Sequence, residues 1–443
     1  MNQERWGALD ALRGLAIAGM LLSGLVPYRV LPAWMYHAQN PPPLHAFRPD
    51  LPGITWVDLV FPLFLFALGA ALPLALGRIA SGWDAARGVL RRAAMLALFA
   101  IYARHISPHV VELGLPWHDA LYALAGLALL FPLLARLPQG WPPAWRIAAR
   151  CVGWGGAIVL MLLFRDSKGA GFSFMRSDII LMVLANVSLT GGLLWLATRE
   201  RPSWRLGVLC FLLALRLCKD IPGWGQALWA WSPLPGIFSI PFQQYLFIVV
   251  PGMFAGEIVR SHRFARPARP LALAACCLAI LAVCLAGLHA RQLGATVLLT
   301  LVFGAGAWAL AGRGGMLDKL LRYGGFLLLL GLALDPYEGG IQKGVATLSY
   351  YFVGAGLGFL LLVALLCVGK DLGVVGGAGQ NPLFAYTAVH TLLTPILVLT
   401  GLGPLIGEWT TQPALGVVRA LIYTGLLCWI SALLARRGAV LRV

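Results

Sequence analysis

The chain has few charged residues, fewer still of negative sign, and none of the motifs that mark nucleotide hydrolysis or zinc-dependent proteolysis. Asp, Glu, Lys and Arg together make up 12% of its 443 residues, about half the share in an average soluble domain. So little charge cannot cover a soluble fold that is 60% hydrophobic, with a mean hydropathy of +0.81. There are 17 acidic side chains against 34 Lys and Arg, a formal charge of +17. In a soluble protein that excess would suggest nucleic acid, but here the basic residues stand at the ends of apolar segments, so no nucleic-acid partner is expected. The eight cysteines (Cys151, Cys210, Cys218, Cys276, Cys277, Cys284, Cys367 and Cys428) have no CxxC spacing and lie in or beside apolar runs. They read as small hydrophobes and not as metal ligands or disulfide partners. A Walker loop, HExxH, GxSxG and a dinucleotide fingerprint are all missing, and no metal is expected. A cleavable signal peptide is not expected either, because the first apolar run holds Asp10 and Arg13 and ends without a small-residue cleavage site.

What is present is a series of apolar runs, many close to the roughly 20 residues that carry a helix across a bilayer. They cover 9–28, 56–77, 88–105, 118–136, 147–164, 178–198, 204–218, 236–258, 271–288, 293–311, 322–335, 346–368, 381–400 and 413–435. Those at 204–218 and 322–335 are short for spans, so the expectation is an all-α polytopic bundle of 12–14 spans, forming one integral membrane domain over residues 1–443. No soluble domain, fixed-period repeat or low-complexity linker interrupts it. A homodimer is compatible with such a bundle, and the sequence does not fix the assembly.

Positive charge alternates along the loops, with Arg165/Lys168/Arg176 on the poorer side as the main exception. One side collects Arg78/Arg87/Arg91/Arg92, Arg136/Arg146/Arg150, Arg199/Arg201/Arg205, Arg260/Arg263/Arg266/Arg269, Arg313/Lys319/Arg322 and Arg436/Arg437/Arg442. Cytoplasmic loops are enriched in Lys and Arg, so both termini are expected in the cytoplasm and the loop 30–54 on the outer face.

That loop reads Trp34-Met35-Tyr36-His37-Ala38-Gln39-Asn40-Pro41-Pro42-Pro43-Leu44-His45 and leads into Gly53-Ile54-Thr55-Trp56-Val57-Asp58. Imidazoles titrate close to neutral pH, so His37 and His45 are candidate general bases, although a loop histidine is more often simply a surface residue. Asp58 starts the second span, where an ionised carboxylate needs a partner; it either orients a loop imidazole or pairs with Arg13. Asp10 and Arg13 share a helix face at the membrane edge, as an internal ion pair or as part of a site. Asn186, Gln243, Gln244, Glu257, Asn381 and His390 are polar residues within or at the ends of apolar runs, serving as interhelical bonds or as the lining of a polar cavity.

The order Leu9-Asp10-Ala11-Leu12-Arg13-Gly14, a histidine loop, then Gly-Ile-Thr-Trp-Val-Asp-Leu-Val-Phe-Pro over 53–62 resembles the heparan-α-glucosaminide N-acetyltransferase family and its bacterial relatives. Weaker similarity continues at Arg176-Ser177-Asp178 with Asn186, at Gly340-Ile341-Gln342-Lys343 with Thr347-Leu348-Ser349-Tyr350, and at Gly379-Gln380-Asn381-Pro382. The resemblance implies an acetyl-CoA-dependent acetyltransferase in a bacterial inner membrane. It would pass acetyl from cytoplasmic acetyl-CoA to a glucosamine-like amino sugar at the outer face. Some relatives have been labelled transporters, so a carrier of N-acetylglucosamine or a similar sugar is the alternative. By motif match His37 is favoured over His45 as the active histidine. Asp58 would hold its ring, Asn381 would steady an oxyanion, and Asp10, Arg13, Asn186, Gln243, Lys343 and His390 would bind substrate or donor. Arg87/Arg91/Arg92 or Arg260/Arg263 are candidate contacts for the phosphates of CoA, although the retention of positive charge in cytoplasmic loops explains both clusters equally well.

Overall fold

The computed structural model describes residues 3–79, 81–107, 111, 114–369 and 373–442, with the side chains of residues 3–6 left aside. Among these residues the chain is helical without a named strand, and only isolated bridges pair extended backbone. In chain order the helices are α1 (Gln3–Leu25), α2 (Trp56–Leu76), α3 (Gly82–His105), α4 (Pro116–Leu134), α5 (Pro143–Leu163), α6 (Ile179–Thr198), α7 (Trp204–Leu217), α8 (Trp224–Trp229) and α9 (Leu246–Ser261). There follow α10 (Pro270–His289), α11 (Leu293–Ala311), α12 (Met316–Ala333), α13 (Leu348–Val368), α14 (Val374–Gln380), α15 (Pro382–Ala388), α16 (Thr394–Leu399), α17 (Leu402–Trp409) and α18 (Pro413–Arg436).

The protein is a multi-pass membrane protein: 11 helical stretches among the described residues are long and apolar enough to span. Every apolar run named above is helical, yet three do not qualify as spans. Helix α3 carries Asp84, Arg87, Arg91 and Arg92 in its first half; α7 has only 14 residues; α12 holds Asp318, Lys319 and Arg322. The expected 12–14 spans therefore become 11.

Contacts divide the chain, expected to be a single membrane domain, into two compact units. The first comprises Met1–Ala85, Gly191–Phe211 and Tyr245–Gly379; the second comprises Ala86–Thr190, Leu212–Gln244 and Gln380–Val443. In the first, α13 is the axis, with 89% of its most apolar stretch buried, and α1, α2, α9, α10 and α12 pack around it. The second contains α3, α4, α5, α15, α16 and α18; α5 is its most outward helix, only 11% buried, as expected of a lipid-facing element.

Apolar surface does not drive helices together in lipid, so close packing has to come from small residues. Helices α2 and α9 meet along Gly69, Gly252 and Gly256, where an added methyl would overlap the carbonyls of Val249, Phe66 and Ala70 respectively. Gly252→Leu is expected to separate the pair, with an overpacking cost of about 3 kcal/mol or more, and to abolish a monodisperse peak in gel filtration of the detergent-solubilised protein. A variant that elutes and melts like the parent would show that this contact is dispensable.

Candidate functional site

Helix α2 begins with Thr-x-x-Asp, a spacing that lets an N3 carboxylate reach back to the N-cap amide. Asp58 Oδ2 accepts from the Thr55 amide at 3.0 Å and from the Ala38 amide at 3.1 Å. Asp58 is fully buried, so these donors and the positive end of the helix dipole compensate for its lost hydration. Its second oxygen, Oδ1, lies 2.6 Å from His37 Nδ1. A carboxylate accepts, so the ring donates from Nδ1, which leaves Nε2 with its lone pair free. The His37 side chain is 39% exposed over a carboxylate that is not exposed at all, which makes its outer edge accessible to a substrate.

The loop that carries His37 is pinned at several points. The Thr55 hydroxyl donates to the Tyr36 carbonyl at 2.7 Å, and the Tyr36 hydroxyl donates to the Pro27 carbonyl at 2.6 Å. Gln39 Nε2 donates to the carbonyls of Leu51 and Gly53, both at 3.0 Å. The Tyr350 hydroxyl, from α13, donates to the Asp58 carbonyl at 3.0 Å. The sequence motifs that contain Thr55, Gln39 and Tyr350 do not assign them these roles; the Thr-x-x-Asp spacing is the signal that points to Thr55.

A third polar side chain arrives from far along the chain. Lys343 Nζ lies 3.3 Å from His37 Nδ1 and is electrostatically coupled to Asp58. The segment holding it is anchored by a bidentate pair from Arg291 to Asp335, at 3.0 and 2.7 Å. Asp335 Oδ1 also accepts from the Ile341 amide at 2.8 Å, and the Ile341 carbonyl accepts from the Gly53 amide at 2.7 Å, which ties this segment to the histidine loop. Burial presses the Lys343 ammonium below its ordinary value of 10.5, and Asp58 offsets part of that effect. Between the depressed value and 10.5 the folded chain thus binds fewer protons than the unfolded one, so this lysine makes stability rise with pH across that window. Lys343→Met should flatten the rise in melting temperature as pH approaches 10.5. An unaltered pH profile would mean that Lys343 does not titrate within the fold.

Of the other candidates, His45 does not reach Asp58. Its ring stacks on Tyr28 at 4.0 Å and meets Tyr36 edge-on at 4.5 Å, its backbone sits at φ +51°, and its Nε2 is buried with no hydrogen-bond partner among the described residues. Arg13 donates to Asp10 at 3.0 Å within α1, so the alternative partner for Asp58 is engaged locally. Glu257 accepts from Arg205 at 2.7 Å and from the Trp195 indole at 2.8 Å. Arg260 donates to the carbonyls of Pro73 at 3.3 Å and Gly77 at 3.0 Å, capping the far end of α2 and leaving it poorly placed to hold a phosphate.

Asn186, Gln243, Asn381 and His390 belong to the second unit. Asn186 Nδ2 donates to the Ile237 carbonyl at 2.7 Å, its Oδ1 accepts from the Ser239 amide at 3.2 Å, and Gln243 Oε1 accepts from the Thr190 hydroxyl at 2.6 Å. Gln244 Oε1 accepts from Arg216 at 2.5 Å. Asn381 uses both ends of its amide on backbone, donating to the Ala439 carbonyl at 3.1 Å and accepting from the Leu441 amide at 3.0 Å. His390 sits, exposed, on a π-helical turn over Val389–Leu393. These bonds describe interhelical clamps within the second unit, whereas His37, Asp58 and Lys343 form one constellation within the first.

No curated protein matches the chain. One family model, described as a domain of unknown function, DUF5009, matches residues 5–259. The match holds the histidine loop and Asp58 and ends before Lys343. With more than half of its length covered by that model, the chain belongs to the DUF5009 family.

Proposed function

We propose that the protein is a membrane-embedded acetyltransferase that moves acetyl from acetyl-CoA to a glucosamine-like amino sugar, with His37 as the reacting base. The observation that carries this reading is the 2.6 Å contact between His37 Nδ1 and the buried Asp58 carboxylate, which fixes the ring and directs Nε2 outward. An imidazole held by a carboxylate on one nitrogen is the arrangement acyl transfer uses to move a proton or carry an acyl group. In the simplest sequence, Nε2 takes a proton from the sugar ammonium and the freed amine attacks the thioester carbonyl. The C–S bond then breaks, the CoA thiolate leaves with the proton returned by the imidazolium, and the new amide nitrogen releases its surplus proton to water. In the covalent variant, Nε2 itself attacks the thioester, the C–S bond breaks and the thiolate leaves; the freed sugar amine then attacks the acetyl group, its bond to Nε2 breaks, and the surplus amine proton passes to the thiolate. Asp58 supports either course by stabilising the imidazolium character that develops.

Geometry along α2 supports placing the reaction at the outer face. His37 and Asp58 stand at its N-terminal end and Arg260 at its C-terminal end, separated by a helix of 21 residues, about 32 Å. The arginine-rich segment Arg260/Arg263/Arg266/Arg269 then lies at the cytoplasmic end, with both termini on that side, in a bacterial inner membrane. The donor's thioester has to reach into the bundle to meet Nε2.

The test is direct. Purified protein in liposomes, given acetyl-CoA and glucosamine, should release free thiol and form N-acetylglucosamine in equal amounts. Uptake of labelled sugar without acetyl-CoA, and no thiol release, would favour a carrier and overturn the enzyme. A cysteine placed at Asn40 should be labelled from outside; labelling only from inside would invert the topology.

A further inference from the structure

The second unit contains a feature that acetyl transfer does not use. At the turn from α4 to α5, a recess of about 800 Å³ is lined by Arg136, Arg146 and Arg150 together with Trp154. Trp154 is also a wall of a second cavity of about 310 Å³ between α3, α4 and α5, lined by apolar side chains such as Leu98, Leu133, Ile158 and Phe174. The two cavities share Trp154 of α5 as a wall, with the charged mouth on one side of it and the apolar slot on the other.

The mouth is assembled deliberately. Asn381 holds the C-terminal segment through Ala439 and Leu441, and the Arg442 amide donates to the Leu134 carbonyl at 3.1 Å. That registry brings Arg442 beside Arg136 and Arg92, whose like charges, after its partial burial, depress its ionisation. None of Arg92, Arg136, Arg146 and Arg442 has a carboxylate partner among the described residues. Arg150 differs: it donates to the carbonyls of Pro132, Leu133 and Ala135 and so caps α4. Arg136 and Arg146 line the recess, and Arg442, with Arg92 near it, stands close enough to Arg136 to feel its charge, so this uncompensated cluster calls for an anion bearing several acceptor oxygens.

The slot selects what is attached to that anion. The hydroxyl of Tyr102, which also lines it, already donates to the Gly126 carbonyl at 3.0 Å, so the slot has almost nothing with which to pair an amide. Leu98 of α3 and Ile158 and Leu162 of α5, all lining it, are exposed, as lipid-facing side chains would be. Trp141 and Trp145, exposed at the same turn, mark the headgroup level of a bilayer. From Arg146 to Ile158, α5 rises about 18 Å, close to the roughly 15 Å depth of one hydrocarbon leaflet. We propose that this is a binding site for an anionic glycerophospholipid, with its phosphate on Arg136, Arg146, Arg442 and Arg92 and one acyl chain in the slot beside Trp154.

The full chain, purified in detergent and titrated with phosphatidylglycerol and with phosphatidylcholine, can be read by native mass spectrometry. The expected result is retained phosphatidylglycerol, with affinity falling about fivefold for each arginine replaced in Arg136→Gln, Arg146→Gln and Arg442→Gln. Arg136→Lys should bind more tightly than Arg136→Gln, and Arg269→Gln, at an exposed arginine that lines neither cavity, should bind as the parent does. Ala157→Phe, which fills the slot, should lose the lipid while Arg146 and Arg442 remain in place. Elution volume and melting temperature identify any variant that fails to fold, and the surface arginine variants keep the test decisive in that event. Equal retention of phosphatidylcholine, or no loss in the triple glutamine variant, would overturn the proposal. So would displacement of the lipid by coenzyme A at equal concentration, which would make the recess a nucleotide site.

Discussion

His37→Ala is expected to lower acetyl transfer by about a thousandfold while leaving the protein folded, and His45→Ala is expected to act chiefly on stability. The contrast comes from how the two rings are held. His37 gives Nδ1 to a carboxylate and keeps Nε2 at an exposed edge, so removing it takes away a proton acceptor but few packing contacts. A positioned general base contributes about 10²- to 10⁴-fold, and the fixed ring orientation places His37 near the middle of that range. His45 is wedged between Tyr28 and Tyr36, so its loss leaves a gap beneath the loop without removing a group from Asp58. Initial rates of thiol release and melting temperatures, taken side by side, separate the two. Added imidazole should restore part of the rate to His37→Ala and none to His45→Ala. A His37→Ala enzyme with parental turnover would rule out the imidazole as the reacting group.

Much of this arrangement is legible in the sequence, for physical reasons that also mark the limits. Spans declare themselves because lipid admits only long apolar helices with satisfied backbones, and every apolar run proved helical. The short helices α8, α14 and α17 are not legible because 6, 7 and 8 residues carry too little periodicity. His37 and Asp58 are close enough in sequence for a loop and the following helix start to join them. Lys343 could be named only by resemblance, since no spacing rule relates residues joined through tertiary packing across 306 positions. Arg260 reads as a phosphate contact but caps a helix end through carbonyls, which a count of positive residues cannot distinguish. Asn381 reads as an oxyanion donor, yet both ends of its amide are bound to the backbone of a tail nearly sixty residues later.

Asp58→Asn carries the largest expected loss, about 10⁴-fold in turnover, with the fold retained. Asparagine matches the carboxylate in shape, so its carbonyl oxygen can still accept from the amides of Thr55 and Ala38 and keep α2 capped. The amide nitrogen would then face His37 Nδ1 as a donor. That reverses the bond: Nδ1 becomes the acceptor, the proton moves to Nε2, and the nitrogen meant to attack or deprotonate loses its lone pair. Any imidazolium formed during transfer also loses its counter-charge, while the nearby Lys343 ammonium remains in place. Asp58→Ala should be worse for stability, because it leaves the Thr55 and Ala38 amides buried without acceptors, each costing about 1–3 kcal/mol. The discriminating measurement is NMR of ring-labelled histidine: the proton on His37 should move from Nδ1 in the parent to Nε2 in Asp58→Asn. A variant that shows the parental tautomer together with full turnover would remove Asp58 from the reaction and leave it only its role in starting α2.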